Sequence, residues 1–120
     1  MSPAETSHRA STKATRESLE LLLAQHLRAE RIAYTAQHHF WPGRKWRLDF
    51  AFPGHLLAVE VQGGTWIKGA HSSGAGIERD CEKAAHLAIA GWRLIPVTGG
   101  QIKSGLAIRW IKDAIKRTTD

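Results

Sequence analysis

RLDFAFPGHLLAVEVQGGT, residues Arg47 to Thr65, holds the clearest strand patterns in this chain and puts a carboxylate in each of them. Arg47-Leu48-Asp49-Phe50-Ala51-Phe52 runs into the turn signal Pro53-Gly54-His55 and then into Leu56-Leu57-Ala58-Val59-Glu60-Val61-Gln62. The spacing predicts an antiparallel hairpin. Acidic side chains are depleted in strands, and two brought together on adjacent strands repel unless a cation or a proton intervenes. Asp49 and Glu60 are therefore candidate ligands of a hard divalent ion. Mg²⁺ needs only one or two carboxylates, with waters and substrate phosphate oxygens completing its shell.

Toward the N-terminus, the hairpin is preceded by Phe40-Trp41-Pro42-Gly43-Arg44-Lys45-Trp46-Arg47, a Pro-Gly turn flanked by aromatic and basic residues. Interleaved rings and cations suit a nucleic-acid contact, with Arg44, Lys45 and Arg47 on phosphates and a ring against a base or sugar. Packing is the competing explanation, and at least one of Trp41 and Trp46 is expected in the core. Ile32 to Phe40 reads as a further strand, in which the adjacent His38 and His39 point to opposite faces and cannot readily share a metal. Thr15 is a fair N-cap for a helix to about Glu30, with Leu19, Leu22, Leu23, His26 and Leu27 on one stripe. Glu20 lies at the edge of that stripe, either a third carboxylate of the site or an ordinary boundary residue. Residues 1–14, rich in Ser, Thr, Ala and basic side chains, read as a flexible tail ahead of one domain, 15–120.

Downstream, Gly63 to Gly76 carries five glycines and overhangs the end of the acidic strand. A loop this long in a small domain is usually functional or disordered. Within it, His71 could orient a water or contact a phosphate and Lys68 could neutralise charge; the alternative for each is a mobile polar loop residue. Ile77 to Ala90 reads as a helix, with Ile77, Cys81, Ala84, Ala85 and Ala88 on one stripe facing the sheet and Gly91 at C′. On this reading Cys81 is a small buried hydrophobe. Asp80 and Lys83 form an exposed pair at helical spacing, or else Lys83 points into the site. Trp92 to Val97 is the last strand, ended by Pro96 and Gly99-Gly100. Ser104 caps a final helix to about Arg117, with Leu106, Ala107, Trp110, Ile111 and Ala114 buried.

The totals agree with a single small domain acting on a polyanion. The chain has 120 residues, 42% of them hydrophobic, and a net charge of +6. A pI near 10.0 favours nucleic acid over membrane as partner. No apolar run approaches a membrane span and no signal-peptide core is visible, so a cytoplasmic location, in a bacterium or a phage-infected host, is expected. The lone cysteine excludes an internal disulfide and any zinc site of several cysteines.

The order helix, three strands in a meander, helix, strand, helix places helices on both faces of a small mixed sheet. This αβββαβα order, with Asp49 on the second strand and Glu60 on the third, resembles the core of the PD-(D/E)xK nuclease superfamily, the restriction-endonuclease-like fold, over residues 15 to 116. More narrowly, Arg47 to Ala51, Ala58-Val59-Glu60-Val61-Gln62-Gly63, and Asp80 and Lys83 ahead of Gly91-Trp92-Arg93 are similar to small single-domain endonucleases related to the very-short-patch-repair type.

The resemblance implies a Mg²⁺ site, with Mn²⁺ able to substitute, held by Asp49, Glu60 and the Val61 carbonyl, and it matches Glu20 to the acid that many members carry on the first helix. Leu48 stands in place of the superfamily's Pro. Gln62 stands in place of its Lys, which makes Lys83 on the following helix the natural substitute, as in some relatives. The cysteine cluster of the very-short-patch-repair enzymes is absent, so mismatch repair is not inferred. The expectation is a metal-dependent endonuclease that hydrolyses DNA phosphodiesters, at branched or structured DNA, and a homodimer wherever both strands are cut symmetrically. The alternatives are a catalytically inactive nucleic-acid-binding module of the same fold, favoured by Gln62, and an interaction protein, suggested by small size and five tryptophans.

Overall fold

A computed structural model of the chain describes residues 15–62 and 74–119. The expected tail, and the stretch that contains Lys68 and His71, lie outside the described residues. Helix α1 spans Thr15–Ala29, followed by strands β1 (Thr35–His39) and β2 (Arg47–Phe52), a 3₁₀ turn at Pro53–His55 and strand β3 (Leu57–Gln62). Helix α2 (Gly74–Ile89), strand β4 (Arg93–Thr98), a short helix α3 (Gly99–Lys103) and helix α4 (Leu106–Thr119) complete it. The sheet order is β1-β2-β3-β4. The first three strands pair antiparallel and β4 lies parallel to β3, from Leu57 beside Arg93 to Gln62 beside Thr98. The parallel step requires a crossover, which α2 supplies. Pro96 cannot donate to a ladder and sits on an edge strand, where that loss is tolerated.

Helices cover both faces of this mixed sheet, but unequally. Leu19, Leu23 and Leu27 of α1 pack with Ile102 of α3, Ala107 and Ile111 of α4, and Phe50, Phe52, Leu57, Val59, Val61 and Val97 of the sheet. This is the larger core. The opposite face has a small cluster of Leu48, Ala51, Ala58 and Leu87, flanked by Phe40 and Trp92. Burying a leucine contributes about 1.5–3 kcal/mol, so Leu87 is the main apolar anchor of α2.

The structure departs from several expectations drawn from the sequence. Ile77, Cys81, Ala84, Ala85 and Ala88 are exposed, and α2 turns the Lys83–Leu87 side to the sheet instead. The alanines had drawn the apolar stripe to the wrong face, because Lys83 buries its stem as an apolar residue would while keeping its charge paired. Leu106 is likewise exposed. Leu56 belongs to the turn rather than to β3, with a left-handed φ of 48°. Gly99-Gly100 does not end in a loop but opens α3, where the Thr98 hydroxyl accepts from Gln101 N–H and the Gln101 side chain accepts from Thr98 N–H. That capping box, Thr-x-x-Gln, is readable in the sequence. Gly91 does stand at C′: at φ 85° it closes α2 with Trp92 N–H to Leu87 O and Gly91 N–H to Ala88 O.

Candidate active site

The site grows from a break in the alternation of β2. Strict period-two alternation would put Leu48 on the face of Phe50 and Phe52. Instead Leu48 packs with Ala51 on the α2 side while Phe50 and Phe52 join the α1 core. The break falls at Asp49, whose carboxylate is buried at 5% exposure and reaches α1. The neighbouring strand is irregular at the same level: Ala36 pairs with Phe50 and His38 with Leu48, and Gln37 between them has a left-handed φ of 52°. Such a φ costs a non-glycine residue about 1–2 kcal/mol, a local distortion next to the buried acid.

Both oxygens of Asp49 accept hydrogen bonds. Arg16 Nη2 donates to its Oδ1 at 3.2 Å and to its Oδ2 at 3.1 Å, and the Val61 backbone N–H donates to Oδ2 at 2.9 Å. The ladder between β2 and β3 pairs Phe52 with Leu57, Ala51 with Ala58 and Phe50 with Val59; one step further, the carboxylate takes the Val61 amide. Arg16 Nε also donates to Glu20 Oε2 at 3.3 Å, so one guanidinium joins two acids. Partial burial raises the Glu20 pKa above its ordinary 4.5, the nearby Asp49 charge raises it further, and Arg16 only partly offsets both. Burial disfavours the Arg16 charge, but Asp49 and Glu20 outweigh it and hold its pKa above the ordinary value. Beside these groups opens a pocket of about 310 Å³ whose lining includes Glu17, Glu20, Tyr34, Gln37, Asp49 and Phe50.

Glu60 is engaged from the other helix. Lys83 Nζ donates to its Oε2 at 2.7 Å and to the Arg47 carbonyl at 3.0 Å, both side chains being largely buried. Lys83 thus points into the sheet end, the second of its two sequence readings. Among the described residues Asp49 and Glu60 share no side-chain partner, and no three His, Cys, Asp or Glu side chains converge as a metal cluster. Gln62 ends β3 beside Thr98, half-buried.

The aromatic and basic turn folds over α2. Arg44 lies over the Trp46 ring at 4.3 Å and is ion-paired with Glu82. Trp46 stacks on Phe40 at 6.0 Å, and Trp41 and Trp46 meet the His86 ring at 4.5 and 5.0 Å. Both tryptophans are half-buried, so packing accounts for part of this cluster, while Lys45 and Arg47 are exposed. Arg16, Glu82 and Gln37 were not singled out by sequence. Arg16 had a signal, since it stands four residues before Glu20 on one helix face. The Gln37 backbone had none.

Neither a protein-family model nor a curated protein sequence matches the chain. Its structure is similar to the solved catalytic domain of the homing endonuclease I-Bth0305I, with a TM-score of 0.56 and 23% sequence identity over 83% of this chain and 91% of that one. At this identity the likeness establishes a shared fold.

Proposed function

We propose that the chain is a metal-dependent endonuclease acting on DNA. The observation that carries this reading is the Lys83–Glu60 contact at 2.7 Å, which brings a lysine from α2 to the strand acid when the strand itself offers Gln62. The fold shared with a homing endonuclease catalytic domain supports it. So does the net charge of +6.

The donor set suits a hard cation. Asp49 is a nearly buried carboxylate compensated by a guanidinium and an amide, and Glu60 is compensated by an ammonium on Oε2; each carboxylate now receives positive charge that a divalent ion also provides. Asp49, Glu60 and the Val61 carbonyl would hold Mg²⁺ or Mn²⁺, with Glu20 on the Asp49 side. When bound, the ion supplies Lewis-acid charge at the phosphoryl group.

The chain's own residues do the rest. Lys83 places a cation against the phosphate as negative charge builds on it. Gln62 orients the attacking water by hydrogen bonding, without adding charge. That water gives up a proton as its oxygen forms a P–O bond, the ester P–O bond breaks, and the leaving alkoxide takes up a proton, so that none is gained or lost overall. Arg47 and Lys45 contact the DNA backbone, joined by Arg44 once it leaves Glu82. Branched or structured DNA is the preferred substrate in this reading, because no reading helix or finger is present among the described residues. Incubation with supercoiled plasmid and with a synthetic four-way junction, in Mg²⁺, Mn²⁺ or EDTA, tests it. Cleavage that EDTA abolishes is expected; EDTA-insensitive binding without cleavage would favour the inactive module.

A further inference from the structure

We infer that Arg16 is an internal competitor for the metal ion: its guanidinium and a divalent cation take the same oxygens of Asp49, so that one leaves as the other binds. The inference rests on the metal-site reading above. Both Asp49 oxygens accept from Arg16 Nη2, at 3.2 and 3.1 Å, and Oδ2 also accepts from Val61 N–H at 2.9 Å. A carboxylate at 5% exposure with those donors has little room for a further ligand while Arg16 stays.

Helix electrostatics do not account for the position of Arg16. It sits in the first turn of α1, where the helix dipole favours anions and a cation is mildly unfavourable. Its contacts to Asp49 and Glu20 offset that, and its side chain is 57% exposed. It can therefore swing into solvent without disturbing the core, whereas Asp49 cannot follow it. A buried carboxylate stripped of its counter-charge is costly, so the release of Arg16 is favoured only when another cation arrives. Glu20, which shares Arg16 with Asp49, becomes free in the same step. The Lys83–Glu60 pair is held from the opposite helix and is not displaced with it.

The test titrates MnCl₂ into the 120-residue chain by calorimetry, comparing wild type with Arg16→Gln, Arg16→Lys and Asp49→Asn, with circular dichroism as the folding control. Arg16→Gln should bind Mn²⁺ about tenfold more tightly, the size expected for removing a charge-assisted competitor. It should also melt at a lower temperature than wild type in EDTA. Arg16→Lys, which keeps the charge but loses the fork, should fall between, and it carries the comparison if Arg16→Gln does not fold. Asp49→Asn should lose binding. Unchanged or weaker Mn²⁺ affinity in the Arg16 variants, with Asp49→Asn still abolishing binding, would overturn the competitor role and leave the nuclease reading intact. No Mn²⁺ binding by any chain, wild type included, would overturn both.

Discussion

Lys83 Nζ and Glu60 Oε2 lie 2.7 Å apart across 23 residues of sequence, one on a helix and the other on the strand that helix covers. The contact fixes which side of α2 meets the sheet. It also gives the strand acid a cation that its own strand lacks, since the position two residues on is Gln62.

A partly buried ion pair of this kind has a measurable coupling energy. A double-mutant cycle of Lys83→Met and Glu60→Gln, read by urea unfolding, should give about 1 kcal/mol of favourable coupling. Values indistinguishable from zero would mean that the pair does not persist in solution.

The two sides of α2 predict opposite responses to substitution. Leu87→Ala empties the small cluster between α2 and the sheet and should destabilise by about 2–4 kcal/mol. Ile77→Ser and Cys81→Ser, on the exposed side, should stay within about 0.5 kcal/mol of wild type. A large loss for Cys81→Ser would restore the helix orientation expected from the sequence.

Glu20 makes stability depend on pH in a definite direction. Its pKa is raised in the folded chain, chiefly by partial burial and then by Asp49, so the folded state holds its proton longer than the unfolded state does. The folded state is therefore favoured below the ordinary value of 4.5 and loses this contribution as pH rises through the raised folded value. Glu20→Gln should flatten that segment of the stability profile. An unchanged slope above pH 4.5 would show that Glu20 titrates normally.

Removing Asp49 has separable consequences for stability and binding. Asp49→Ala leaves the Val61 amide without its acceptor and takes from Arg16 one of its two acidic partners, at a cost of about 1–3 kcal/mol in thermal or urea unfolding. DNA affinity should hold or rise, because negative charge near the phosphates is removed. A loss of DNA binding in a folded variant would argue against a metal-ligand role.

How far the sequence carried depended on local signals. The hairpin from Arg47 to Gln62 was legible because turn residues separate two apolar runs, and Gly91 marked a helix end that the structure closes with two backbone hydrogen bonds. The order of strands and helices followed from those signals. The orientation of α2 did not: a stripe of alanines and Cys81 resembles a buried face, and only the tertiary partners Glu60 and Arg47 show that a lysine lies on the inner side. Arg16 carries only the local signal of its spacing from Glu20; its contact with Asp49, 33 residues away, is tertiary and leaves no mark in the sequence. The break in alternation at Asp49 depends on the paired strand, where Gln37 adopts a backbone conformation that no residue-type preference announces.

Action of Glu60 and Lys83 on a phosphodiester is tested by plasmid nicking rates for wild type, Glu60→Gln and Lys83→Met in Mg²⁺. DNA affinity is measured in parallel in Ca²⁺, and circular dichroism shows that each variant is folded. The account predicts that each substitution slows nicking by about 10²–10³-fold while affinity changes by less than about tenfold. Wild-type nicking rates in both folded variants would contradict it.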